Sequence, residues 1–185
     1  DRIFKPLINF QTDQIEGNMT DFVKEGLNLA HQCVRRTTQG GGTTFTSCLI
    51  LERQLLIGHV GDSRVYFIYP DGNFKQLTKD HTLVQILIDK GKLTEEQAYD
   101  HPNRNILYQA LGQFEILEPE IIRTMITEEG YLLICSDGLS GVVNTQEIIS
   151  LVNEGNNLST TCSNLIAAAN DAGGPDNISV ILIKV

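Results

Sequence analysis

The sequence predicts an α+β fold, an antiparallel β-sandwich covered by helices. Three observations point that way. β-Branched and apolar runs crowd residues 43–77 and return at 121–135 and 178–185. Helical stripes stand apart from them, at 19–36 and between 145 and 170. The two kinds of element come in groups, not in the strict alternation of a parallel sheet with crossover helices.

The elements follow in order. In residues 19–36, Val23, Leu27, Ala30 and Val34 fall at spacings of four, three and four, one apolar stripe of a helix. His31 on this helix reads as an exposed residue. Gly40, Gly41 and Gly42 break the chain. Residues 43–51, 55–60, 64–69 and 74–77 then read as four strands of one antiparallel meander, with Pro70, Asp71, Gly72 and Asn73 as the last turn. Residues 82–90 fit a short helix ended by Gly91, and Thr94 with Gln97 makes a capping box for the next. Residues 103–111 are expected to form a third. Strands resume at 121–126 and 131–135. Helices follow at 145–153, capped by Asn144 or Thr145, and at 159–170, capped by Ser159. Cys162, Leu165, Ile166 and Ala169 give the latter its core-facing stripe. The last run, 178–185, is apolar almost throughout, so it is expected at the centre of a sheet.

Composition narrows the class. The 185 residues suit one domain, 1–185, and 41% hydrophobic content suits a buried core without staples. A net charge of −9 sets the chain against nucleic acid and anionic lipid as partners. The four cysteines form no C-x-x-C pair, so they read as free thiols in a reducing, cytoplasmic setting. No run approaches the ~20 apolar residues of a membrane span.

Three aspartates share one context. Asp62 follows the strand LLIGHV and one glycine, and Asp137 follows YLLIC and one serine. Asp176 follows Gly173, Gly174 and Pro175 and precedes ISVILIKV. Each carboxylate is thus held at the end of a rigid apolar strand beside a glycine-containing turn. If those ends converge, the like charges need a counter-charge, and a hard divalent cation such as Mg²⁺ or Mn²⁺ supplies it. Asp71 with Gly72 is the contrasting case, an ordinary hairpin turn.

Six segments in order carry a resemblance: GGGTT at 40–44, VGDSRVY at 60–66, LTKDHTLVQ at 77–85, HPNRNILYQALG at 101–112, CSDGLSGVV at 135–143 and GGPDNISVILI at 173–183. Together, from about Thr43 to the last residue, they resemble the compact bacterial PP2C-type (PPM family) protein serine/threonine phosphatases. The resemblance implies a β-sandwich with helices on both outer faces, an α/β/β/α four-layer arrangement. It implies hydrolysis of phosphoserine and phosphothreonine at a two-metal centre, with phosphoproteins made by serine/threonine kinases as substrates. Asp137 and Asp176 would ligate the main metals, and Asp62 with Asp137 a third, weaker one. Asn177 and Gly138 would support them from behind. Residues from about Thr82 to Arg104 would form the family's mobile flap, with His81 and Arg104 at its ends.

The family's other ligands lie on two strands near its start, in Arg-x-x-Asn-x-Asp and Asp-Gly-Met-Gly-Gly-His type segments. Residues 1–40 hold neither. The domain is therefore expected to lack its N-terminal strands here. Either a longer protein supplies them, or the chain is a catalytically inactive relative that binds partners. Uncovered sheet edges would also permit a homodimer.

The remaining charged residues have plain readings. Arg64 is expected to pair with a local carboxylate rather than with phosphate, His59 to be a satisfied core histidine, and His81 to cap the helix that follows it.

Overall fold

The computed structural model describes residues 15–185, with side chains from Met19 onward. The stretch before residue 15 lies outside them. The helix α1 (Ile15–Thr37) leads into strands β1 (Phe45–Leu51), β2 (Gln54–Val60), β3 (Arg64–Ile68) and β4 (Phe74–Gln76). Two short helices follow, α2 (Leu83–Asp89) and α3 (Glu95–Tyr99), and then β5 (Glu120–Met125) and β6 (Tyr131–Cys135). The chain closes with α4 (Asp137–Ser140), α5 (Thr145–Glu154), α6 (Leu158–Asp171) and β7 (Val180–Lys184).

The strands divide between two antiparallel sheets, β1-β2-β5 and β4-β3-β6-β7. This corrects the expected single meander. β2 and β3 are consecutive but do not pair; the chain leaves one sheet and enters the other at Gly61, Asp62 and Ser63. Gly61 makes the crossing with φ +114, and a Cβ there would lie 2.6 Å from the Thr44 Cβ. Only glycine satisfies both conditions.

The two sheets face each other across a shared core. Leu55 and Ile57 of β2 pack with Val65 and Phe67 of β3 and with Leu132 of β6. The alternate residues point outward. Tyr66, Ile68, Leu133 and Cys135 meet Leu139, Ile148, Ile149, Val152, Leu165 and Ala169 from α4, α5 and α6. On the opposite side Val60 packs with Leu27 of α1. This period-two division of each strand produces four layers, helix, sheet, sheet and helices, as the sequence implies. Each fully buried Leu or Ile contributes about 2 kcal/mol.

Other local expectations are met or moved. Thr94 and Gln97 form the capping box of α3, and Asn144 caps α5. Asn157, not Ser159, caps α6, its side chain accepting from the amides of Ser159 and Thr160. Residues 103–111 form no helix. They are held by isolated bridges, Thr82 with Leu107 and Thr43 with Leu111. Pairing with distant backbone outweighs their local helical pattern. β7 lies at the edge of its sheet among the described residues, not at the centre, and Ile181 on it is 57% exposed. His31 is buried, with Nδ1 accepting from the Gly112 amide at 3.1 Å. No helix among the described residues is long and apolar enough to cross a membrane.

Candidate metal centre

Register brings the three aspartates to one end of one sheet. Arg64, the first residue of β3, sits opposite Cys135, the last of β6, and Cys135 sits opposite Val180, the first of β7. Asp62 is two residues before β3, Asp137 two after β6, and Asp176 four before β7. The central turn, bearing Asp137, therefore lies between the other two.

The electrostatics agree with that order. Asp62 is pushed up to about 6, first by burial and then by the charge of Asp137. Asp137 is also raised, first by burial and then by Asp176. The charge of Asp137 thus acts on Asp62, and that of Asp176 on Asp137. Among the described residues the ion pairs are Arg64 with Asp80 and Lys79 with Asp89, so no cation pairs with the row.

Arg64 is close to the row but already engaged. Its Nε donates to both Asp80 oxygens at 3.0 and 3.1 Å, and its Nη2 to Oδ2 at 2.8 Å. Its Nη1 donates to the Tyr66 hydroxyl at 3.1 Å. The expected local pairing is met, and the partner, Asp80, is a buried residue that sequence reading did not single out. The guanidinium is raised further above its ordinary value by this pairing.

The turns of Asp137 and Asp176 touch. A Cβ on Gly138 would collide with the carbonyl oxygen of Asn177. The Asn177 amide donates to Asp176 Oδ1 at 2.7 Å, so its backbone orients that carboxylate. Ser136, also passed over in the sequence, joins the two turns through its hydroxyl. Its one signal is a polar residue closing the apolar run YLLIC.

A second group of ligand-type side chains lies close together. His59, His81 and Glu120 each offer a ligand atom, and these atoms all lie within 4.8 Å of one another. The imidazole lone pairs are nevertheless committed. His59 Nε2 faces the Lys79 carbonyl at 3.2 Å and must donate, which leaves Nδ1 to accept from the Thr46 hydroxyl at 2.8 Å. His81 Nδ1 accepts from the Gly61 amide at 3.2 Å. A neutral imidazole has one lone pair, and both rings have spent theirs. Glu120 Oε2 accepts from the Lys79 amide at 3.1 Å. Burial keeps both rings neutral: His59 is lowered, and His81 is lowered to about 4, by burial first and by His59 next. The two rings are thus held by hydrogen bonds to Thr46, Lys79 and Gly61. His59 is the satisfied core histidine expected, whereas His81 does not cap α2. Thr82 does that, and His81 instead grips Gly61, its own amide donating to the Gly61 carbonyl at 2.7 Å.

The segment from Thr82 to Arg104 carries α2 and α3. Arg104 donates from Nη1 to the Tyr99 carbonyl at 2.8 Å and lies 5.8 Å above that ring, so it braces the end of α3 within the segment.

The aspartate row suits a divalent cation on its chemistry: hard oxygen donors, carboxylates that repel one another, and a nearest cation, Arg64, that is ion-paired with Asp80. A family profile for protein phosphatase 2C matches residues 8–86, beginning well before Thr43. The chain is 40% identical over 148 residues to the protein phosphatase PhpP of Streptococcus pneumoniae, which is 80% of this chain and 59% of that one. It thus spans less than two thirds of that relative's length. The solved serine/threonine phosphatase of S. agalactiae superposes with a TM-score of 0.85 at 32% identity, over 93% of this chain and 73% of that one. The catalytic domain of the phosphatase PstP, solved in complex with two manganese ions, superposes with a TM-score of 0.77 at 31% identity, over 94% and 73%. With its four layers, its strand-end aspartates and these relatives, the chain belongs to the protein phosphatase 2C family.

Proposed function

We propose that this chain acts as a metal-dependent phosphoprotein phosphatase, removing phosphate from serine and threonine side chains that a kinase has phosphorylated. The observation that carries the reading is the unpaired row Asp62, Asp137 and Asp176 at the ends of β3, β6 and β7. Mg²⁺ or Mn²⁺ bound there would supply an activated water and offset the charge of the phosphoryl group. Asp137, central and half-buried, would share ions with both neighbours. Asp176 would be aimed by the amide of Asn177, and the absence of a side chain at Gly138 lets the two turns close together. The pairing of Arg64 with Asp80 supports a structural role for Arg64. The 82–104 segment, braced by Arg104, would border the site as a flap. A single domain in the cytoplasm is part of the same reading.

The test is hydrolysis of a small aryl phosphate and of a phosphothreonine peptide by the 185-residue chain, with and without Mn²⁺. Turnover that needs Mn²⁺ and disappears in Asp137→Ala supports the reading. Mn²⁺ binding without turnover of either substrate would overturn it.

A further inference from the structure

We propose that Ser136 is a positioning residue that sets the separation of Asp137 and Asp176, and thereby the fit of the cation between them. The inference rests on the reading of the aspartate row as a cation site.

The geometry turns on one hydroxyl. Ser136 Oγ donates to the Asn177 carbonyl at 3.1 Å and accepts from the Ser179 amide at 3.0 Å. The Ser136 amide in turn donates to the Ser179 carbonyl at 3.1 Å. Asn177 follows Asp176 directly, and Ser136 precedes Asp137 directly. The side chain therefore spans the shortest path between the two carboxylate-bearing turns.

Few polar contacts tether the second turn. Regular pairing of β6 with β7 ends at Cys135 and Val180. Upstream, α6 ends at Asp171, and Gly173 and Gly174 both have positive φ. Between these points the segment is held by Ser136, by its contact with Gly138 and by Ile178, which packs against the core; of these, only Ser136 makes a side-chain hydrogen bond to the turn. Ser136 does not hold the core. Both hydroxyl bonds are solvent-exposed, and water can replace them in the free protein. Water cannot hold two carboxylates at a fixed spacing. Positioning and stability are separable at this residue.

The choice of ion makes the distinction measurable. Mg²⁺ demands near-octahedral geometry, whereas Ca²⁺ accepts irregular coordination with longer bonds. A loosened pair of aspartates should lose Mg²⁺ and Mn²⁺ before it loses Ca²⁺. Residues that orient metal ligands cost roughly tenfold to hundredfold in affinity when removed.

The experiment is calorimetric titration of the 185-residue chain with Mn²⁺, Mg²⁺ and Ca²⁺, for the parent, Ser136→Ala and Ser136→Thr. The expected result is a loss of roughly tenfold in Mn²⁺ and Mg²⁺ affinity for Ser136→Ala, a much smaller change for Ca²⁺, and an unchanged metal-free melting temperature. Ser136→Thr, which keeps the hydroxyl, should restore the affinity. Parent-like Mn²⁺ affinity in Ser136→Ala would overturn the proposal while leaving the site reading intact. So would an equal loss of all three ions with a lowered melting temperature, or no recovery in Ser136→Thr. A parent chain that binds no Mn²⁺ would overturn the site reading itself, and the proposal with it.

Discussion

Two clusters of ligand-type side chains lie either side of the Gly61 crossing, and they are opposites. His59, His81 and Glu120 are close together, mostly buried and satisfied by hydrogen bonds. Asp62, Asp137 and Asp176 are more exposed, and burial together with a neighbouring carboxylate raises the proton affinity of Asp62 and Asp137. Proximity alone would choose the histidines. Availability of lone pairs chooses the aspartates. A protein stabilises a structural cluster by satisfying it, and prepares a binding cluster by leaving it unsatisfied.

The comparison can be broken most directly at Asp137. Asp137→Ala should weaken Mn²⁺ binding roughly a hundredfold, while Asp71→Ala, in the β3–β4 turn, should leave it unchanged; calorimetry on both variants checks this. Next is His59→Ala, which should destabilise the fold by about 2 kcal/mol by leaving Thr46 and Lys79 without their partner, yet leave Mn²⁺ affinity within about threefold of the parent. Denaturant melts beside the titration show whether the two effects separate.

Arg64→Met should cost about 1–2 kcal/mol, because it strands the mostly buried carboxylate of Asp80 although Arg64 itself is partly solvated. Double substitution with Asp80→Asn should recover part of that loss if the pair is structural.

The smallest effect is in pH. Asp62 has a folded value of about 6, above its ordinary value of 3.8. Its protonated form is therefore favoured by folding, and the contribution is full below about 3.8 and lost as pH rises through 6. In metal-free protein, Asp62→Asn should gain melting temperature relative to the parent between pH 4 and pH 7. Saturating Mn²⁺ should abolish that advantage. A constant difference across the range would deny Asp62 its strained state.

Much of the candidate site was legible because its signals are local. Each aspartate sits where an apolar run stops at a glycine turn, and such runs name strand ends without any knowledge of partners. The division into two sheets was not legible. A turn at Gly61 looks the same locally whether β3 folds back on β2 or crosses to another layer. Pairings such as Arg64 with Asp80, sixteen residues apart, leave no periodic trace. His31 was readable after all: Leu27, His31 and Val34 fall four and three apart, on the buried stripe of α1, and only its polar identity argued for exposure. The apolar character of 178–185 suggested a central, buried β7, but the strand lies at the edge of its sheet among the described residues, with Leu182 buried and Ile181 exposed.

The crossing at Gly61 also bears on the order of folding. β1 with β2 and β3 with β4 can zip locally through short turns, whereas the other edge of β3 must wait for β6, some seventy residues downstream, and β6 for β7. Asp62, Asp137 and Asp176 come together only after those slow, long-range pairings. In a refolding experiment begun in Mn²⁺, high-affinity uptake of the ion should follow the last kinetic phase and not the early hairpin, making the cation a clock for completion of the second sheet.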